Sequence, residues 1–175
     1  NQDKSLPPAY GSGPDVNDRH GSGYFTQADF IEILQYAAQN HIDIIPEVEM
    51  PGHSRAAVKS MESLNRKLIA AGDKNPDKYL LSDPDDKSQY HTAQNYTDDV
   101  MNPALPSTYK FIETITIEIA QMYKKAGVKQ TILHVGGDEL ANGAWEKSPI
   151  AIAKMKELNL NSTNELWDYF YNRVA

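Results

Sequence analysis

The stretch Thr131-Ile132-Leu133-His134-Val135-Gly136-Gly137-Asp138-Glu139 constrains this chain more than any other. Ile132, Leu133 and Val135 favour a pleated, half-buried backbone. Two consecutive glycines then end any ladder and let the backbone pass close to another group. Two carboxylates follow side by side. Adjacent acids repel, so a fold that sets two of them at a strand end tends to keep one ionised and let the other hold its proton. That division suits a general acid working beside an electrostatic stabiliser. An Asp-Glu pair alone is more often a solvated turn; the His-x-Gly-Gly frame in front of this one gives it weight.

Around this stretch the chain alternates between β-type and helical patterns. Residues 26–39 read as a helix: Thr26 with Asp29 is a capping-box pattern, and Phe30, Ile33, Leu34, Ala37 and Ala38 recur at helical spacing. Residues 42–48 are a short β-branched run of the kind found in buried parallel strands. Residues 54–71 read as a helix stopped by Gly72. Residues 73–102 are polar, rich in Asp, Lys, Asn and Tyr, and are expected to form a long loop. Pro106-Ser107 opens the clearest helix, over 106–125, with Phe111, Ile112, Ile115, Ile119, Met122 and Tyr123 on one stripe. A second strand is expected over 131–135 and a short helix over 149–158. A last helix is expected from Ser162-Thr163-Asn164-Glu165, another capping box, with Leu166, Trp167, Phe170 and Val174 on its apolar face.

Strand, crossover helix, strand, helix is the repeating unit of a (β/α)8 barrel. A whole barrel takes about 250 residues; this chain has 175 and two clear strands. The reading is therefore α/β, a partial (β/α)8 barrel, with residues 1–175 forming one segment of a single larger catalytic domain. Residues that react in such barrels sit at the C-terminal ends of the strands. Glu47, Glu49 and His53 leave the first strand at that end, and Asp138 and Glu139 leave the second.

Composition narrows the partners. Hydrophobic content is 40% and no apolar run is long enough to span a bilayer. The net charge is -7 and the basic residues are scattered, which argues against nucleic acid or anionic membrane as partners. A neutral sugar polymer is compatible with that charge. Cysteine is absent, which excludes disulfides and thiolate chemistry.

The hexapeptide His134-Val135-Gly136-Gly137-Asp138-Glu139 resembles the His-x-Gly-Gly-Asp-Glu signature of the family 20 glycoside hydrolases, the β-N-acetylhexosaminidases. Ile44-Ile45-Pro46-Glu47-Val48-Glu49-Met50-Pro51-Gly52-His53 resembles that family's block IPEIDMPGH, and Gly23-Tyr24-Phe25-Thr26-Gln27-Ala28-Asp29 is similar to its YYTQ-D lead-in. Met101-Asn102-Pro103 also falls in the family's order, and the excursion over 54–100 looks most like the bacterial chitobiase branch.

The resemblance implies hydrolysis, as part of a larger enzyme, of terminal β-linked N-acetylglucosamine or N-acetylgalactosamine with retention of configuration. The substrate assists: its 2-acetamido carbonyl attacks the anomeric carbon and forms an oxazolinium intermediate. Glu139 would be the general acid and later the base that activates water. Asp138 would orient the acetamido nitrogen and stabilise its developing charge. His53 would hydrogen-bond to the acid and support its proton cycling. Glu49 stands where the family more often has aspartate; it and Glu47 are read as rim acids that bind substrate or support the catalysts. His134, inside the strand, is expected to be a packed, hydrogen-bonded residue that can back the site. Trp145 could stack on a sugar, but a lone tryptophan is more often a core residue or a surface anchor. Neither a metal nor another cofactor is implied. The partner is carbohydrate, either chitobiose and chitooligosaccharides or glycan termini. The family branch implies a location outside the cytoplasm: periplasmic, cell-surface or secreted. The segments would correspond to the third and fourth barrel strands.

Two other readings compete. A metal-dependent barrel hydrolase would use His53, His134, Asp138 and Glu139 as ligands, but the chain has neither a His-x-His pair nor a Glu-x-x-His helix. A non-catalytic glycan-binding or structural piece is the other. The residues that grip the substrate in the family lie outside this chain, so the segment alone is expected to be inactive. Open strand edges would make its self-association possible.

Overall fold

Thr26 starts the first helix. Its hydroxyl accepts from the Asp29 N–H at 3.1 Å while the Asp29 carboxylate accepts from the Thr26 N–H at 2.8 Å, so the capping box closes in both directions. Helix α1 spans Gln27–Gln39, followed by α2 (Arg55–Ala70), α3 (Pro106–Ala126), α4 (Pro149–Leu158) and α5 (Thr163–Val174). The computed structural model describes residues 24–175. Gly23, at the head of the expected lead-in block, lies outside the described residues.

Every helix expected from spacing and caps is present, and each end has a local cause. Gly72 follows α2 with φ +71°. Ser148 caps α4 by accepting from the Ala151 N–H, Pro149 occupies its first turn, and Asn159 ends it in the left-handed region at φ +56°. Ser162 caps α5 through the Glu165 N–H, but the Glu165 carboxylate takes the N–H of Asn161 at 2.9 Å rather than that of Ser162. The capping box expected there therefore closes one residue early. None of these helices, among the described residues, is long and apolar enough to cross a membrane.

The two expected strands are not regular strands. Residues 42–48 and 131–135 meet in one parallel bridge between Glu47 and His134. Its bonds are Val48 N–H to His134 O and His134 N–H to Pro46 O, both at 2.9 Å. This is the one β pairing among the described residues. The cause is local: Pro46 has no N–H to offer, and a parallel ladder is the weaker kind per residue and normally lies buried within a covered sheet. Ile42, Ile45 and Ile132 stand 56%, 52% and 52% exposed, where a buried strand was expected.

The described residues fall into two compact units. One holds those up to Val48 together with Thr114–His134. Within it Phe30 meets Tyr123 edge-on, and the Tyr123 hydroxyl donates to the Ile44 carbonyl at 2.6 Å. The other holds Glu49–Glu113 and Val135–Ala175. Its core contains Val100, Ala104, Ala144, Trp145, Ala151 and Leu166, with Phe170 fully buried on α5. Trp145 is thus a core residue, its Nε1 donating to the Met101 carbonyl at 3.0 Å. Residues 73–102 form no helix or strand, yet Leu80, Leu81, Asp83, Asp99, Val100, Met101 and Asn102 are buried. Buried hydrogen bonds run from this segment to Ser148, whose hydroxyl donates to Asp83 and accepts from Asn102.

Candidate active site

The turn over residues 49–54 is tied down before it delivers any chemistry. Ser54 does not cap α2; its hydroxyl instead reaches back to the carbonyls of Gly52 and Glu49, at 2.8 and 2.9 Å. The Ser54 N–H bonds the Asp99 carbonyl, and the Met101 N–H bonds that of Pro51. Held on both sides, His53 takes a left-handed φ of +48°. Its Nε2 lies 3.5 Å from Glu139 Oε2.

The paired glycines do approach something closely. Gly136 has φ +65°, and a Cβ there would collide with the Glu49 carboxylate and stand 2.9 Å from Glu49 Cα. Gly137 has φ +122°, and its Cβ would stand 2.5 Å from the Tyr171 hydroxyl. The Gly137 N–H donates to Glu49 Oε2 at 3.3 Å. Asp138 and Glu139 therefore leave a turn pressed between a carboxylate and a phenol. Beneath it, the bare α-carbon of Gly52 faces the Asp138 carbonyl, which a Cβ would approach to 3.3 Å. Glu139, itself at φ +48°, is more than half exposed and accepts from the Gln94 amide at 3.3 Å.

Two groups near this turn have shifted proton affinities. Burial pushes the Asp99 carboxyl above its ordinary value, and the His53 imidazole draws it partly back. Asp99 Oδ1 is buried and has no hydrogen-bond partner among the described residues. Burial also raises the Tyr171 phenol, and the negative charges of Glu49 and Asp138 add to the effect. It stays a neutral hydrogen-bond donor.

The structure thus brings His53 to Glu139, and Glu49 to the turn that carries Asp138. Glu47 and His134 make a separate pair in the other unit, Nδ1 to Oε1 at 3.1 Å. His134 is not the packed residue expected from its place in an apolar run: its side chain is 56% exposed, because the segment makes one bridge instead of joining a covered sheet. Among the described residues no group of three or more His, Cys, Asp or Glu is placed to hold a metal ion. Tyr171, Gln94 and Asp99 also belong to this neighbourhood, and the sequence reading did not single them out. The glycines signalled a close approach, but nothing in the sequence said which side chains would fill it.

The model of glycosyl hydrolase family 20, catalytic domain, matches residues 6–175. A beta-hexosaminidase of Vibrio vulnificus is 42% identical over 99% of this chain and 21% of its own length. An N,N'-diacetylchitobiase of Vibrio harveyi is 44% identical over 81% of this chain and 16% of its own length. The crystal structure of the GH20 exo beta-N-acetylglucosaminidase from Vibrio harveyi in complex with N-acetylglucosamine superposes with a TM-score of 0.74 at 33% identity, covering 96% of this chain and 22% of that one. The chain spans about a fifth of the length of the relatives it matches. With the match running through the glycine turn, the acidic pair and the histidine that faces it, this chain belongs to glycosyl hydrolase family 20 as part of its catalytic domain.

Proposed function

We propose that this chain supplies the acid, its histidine and the acetamide-binding aspartate of a β-N-acetylhexosaminidase, working within a larger enzyme. That enzyme removes terminal β-linked N-acetylglucosamine or N-acetylgalactosamine with retention. The observation that carries the reading is the 3.5 Å approach of His53 Nε2 to Glu139 Oε2, with Asp138 beside it on a glycine turn, in a family 20 chain. The names of the relatives, beta-hexosaminidase and N,N'-diacetylchitobiase, support it.

In this scheme Glu139 gives its proton to the glycosidic oxygen as the bond to the anomeric carbon breaks. The substrate's own acetamido oxygen attacks that carbon from the opposite face, forming the oxazolinium ion. Asp138 accepts a hydrogen bond from the acetamido N–H and stabilises its positive charge. Glu139, now ionised, takes a proton from the water that opens the ring. His53 steadies the acid through both steps. Neighbouring side chains can take opposite roles because they diverge from one backbone.

Within the complete catalytic domain, residues 42–48 and 131–135 would be the third and fourth strands of a (β/α)8 barrel. The parallel sense of the Glu47–His134 bridge and the helices that follow each segment support this. We further propose that this enzyme works outside the cytoplasm, as the resemblance to the chitobiase branch implies. The test is product stereochemistry: the complete domain acting on an aryl N-acetyl-β-glucosaminide should release the β anomer first and be inhibited by a thiazoline mimic of the oxazolinium. Release of the α anomer first, or a glycosyl ester trapped on Asp138, overturns it.

A further inference from the structure

Tyr171 lies on α5, away from both matched motifs, yet its hydroxyl reaches the backbone just ahead of the catalytic pair. The ring is wedged in place: Phe170 meets it edge-on with centroids 5.4 Å apart, and Trp167, one turn back, lies at 6.0 Å. The hydroxyl donates to the Met50 carbonyl at 2.7 Å. A carbonyl can only accept, so the phenolic proton is committed there. The same oxygen occupies the space in front of the Gly137 α-carbon. On the other side Glu49, the chain neighbour of Met50, fills the space in front of Gly136 and takes the Gly137 N–H.

Two glycines in succession would leave the turn free to sample many conformations, since neither carries a Cβ to exclude any. Here both are closed off, one by Glu49 and one by Tyr171, and the two closing groups are joined through residues 49 and 50. The geometry points to Tyr171 as a positioning residue for Asp138: anchored to the Met50 carbonyl and filling the space in front of the Gly137 α-carbon, its hydroxyl fixes the direction in which the next side chain leaves the turn. This inference rests on the reading of Asp138 as the partner of the acetamido N–H. Its proton being taken by the Met50 carbonyl, Tyr171 acts here through the turn that carries Asp138.

The variant that tests it is Tyr171→Phe in the complete catalytic domain, which removes one oxygen and leaves the ring wedged. With a near-attack geometry at stake, kcat on an aryl N-acetyl-β-glucosaminide should fall about tenfold to a hundredfold, and the inhibition constant of a thiazoline mimic should rise by a similar factor. KM should change less than about twofold, because a displaced Asp138 weakens the transition state more than the ground state. Amide hydrogen exchange over residues 137–139, read without substrate, should speed up in the variant. Unchanged exchange, or kcat and thiazoline affinity that both stay at the wild-type values, overturns the positioning role. Faster exchange in the variant, together with a wild type that thiazoline does not inhibit, would uphold the positioning role and overturn the substrate-assisted reading instead.

Discussion

His53 and Glu139 face each other, Nε2 to Oε2 at 3.5 Å, and both hold a backbone φ of +48°. A non-glycine residue in the left-handed region costs about 1–2 kcal/mol, so surrounding contacts must hold each in place. For His53 these are the hydrogen bonds of Ser54 to Gly52, Glu49 and Asp99. For Glu139 they are the clamped glycine turn behind it and the Gln94 amide in front. Strain of this kind gathers where a side chain must point in a direction that relaxed backbone would not give it. His41, Asn95, Trp145 and Asn159 also hold positive φ, but His53 and Glu139 are the two that face each other, and in the proposed scheme they are the histidine and the acid it steadies.

Glu139→Gln keeps the shape of that pair and removes the transferable proton. On substrates with a poor leaving group, such as chitobiose, turnover of the complete domain should fall by about 10²–10⁴. An activated aryl glycoside needs little protonation and should lose much less. Equal losses on the two substrates would take Glu139 out of the acid role.

Gly136→Ala should be among the most damaging small substitutions in the chain. The left-handed φ of +65° costs an alanine about 1–2 kcal/mol, and the collision with Glu49 adds about 1–3 kcal/mol of overpacking. Chemical denaturation should therefore show a loss of about 2–5 kcal/mol. In the double variant Glu49→Ala/Gly136→Ala the collision with the carboxylate disappears and the backbone cost stays, so part of the loss should return. Two strictly additive losses would mean that Glu49 does not press on the glycine.

How much of this was legible in the sequence depended on how local the cause was. Thr26 with Asp29 and Ser162 with Glu165 announce helix starts because a cap is made by residues three apart, and the structure has those helices. The strands were not legible in the same way. Ile42, Ile44 and Ile45 have strand character, but a strand exists only through partners, and these segments found one bridge. That also left His134 exposed beside Glu47 rather than packed. Gly136 and Gly137 signalled a close approach correctly. The groups they approach, Glu49 and Tyr171, come from 87 positions before the first and 34 after the second, a distance no short pattern bridges. Of the residues gathered around the turn, His53, Glu49, Asp138 and Glu139 stand in short motifs and could be singled out from the sequence, whereas Tyr171, Gln94 and Asp99 stand in none.

Ser148→Ala tests the buried hydrogen bonds that join the long 73–102 segment to α4. The Ser148 hydroxyl is fully buried; it donates to Asp83 Oδ2 at 2.6 Å and accepts from the Asn102 amide at 2.9 Å and the Ala151 N–H at 3.1 Å. Alanine removes a helix cap and leaves the Asn102 amide without that acceptor. The expected loss in chemical denaturation is about 2–4 kcal/mol. A loss as small as that of a typical surface substitution, about 0.5 kcal/mol, would show that water replaces the hydroxyl.

Asp98 and Asp99 are chain neighbours whose charges should act on stability with opposite signs. Partial burial works against the charge of Asp98, but hydrogen bonds from Arg55 and Lys59 outweigh it and hold the carboxyl below its ordinary value of 3.8. A depressed folded value means that the unfolded chain binds more protons in the acid range, so this stabilisation is present above the unfolded pKa and is lost as pH falls through the folded one. Asp98→Asn should therefore destabilise at neutral pH, with the difference from wild type closing in acid. Asp99 is 1% exposed, and burial raises its carboxyl; His53 and Arg55 oppose that shift, and Asp98 adds to it. Here the folded state binds more protons. The cost of the charge is absent below the unfolded value and grows as pH rises through the folded one. Asp99→Asn should consequently raise the thermal midpoint at neutral pH and merge with wild type below about pH 3.8. Thermal melts of both variants and the wild type from acid to neutral pH decide it. If Asp99→Asn is less stable than wild type at pH 7, the buried carboxylate is held by a partner strong enough to outweigh its desolvation.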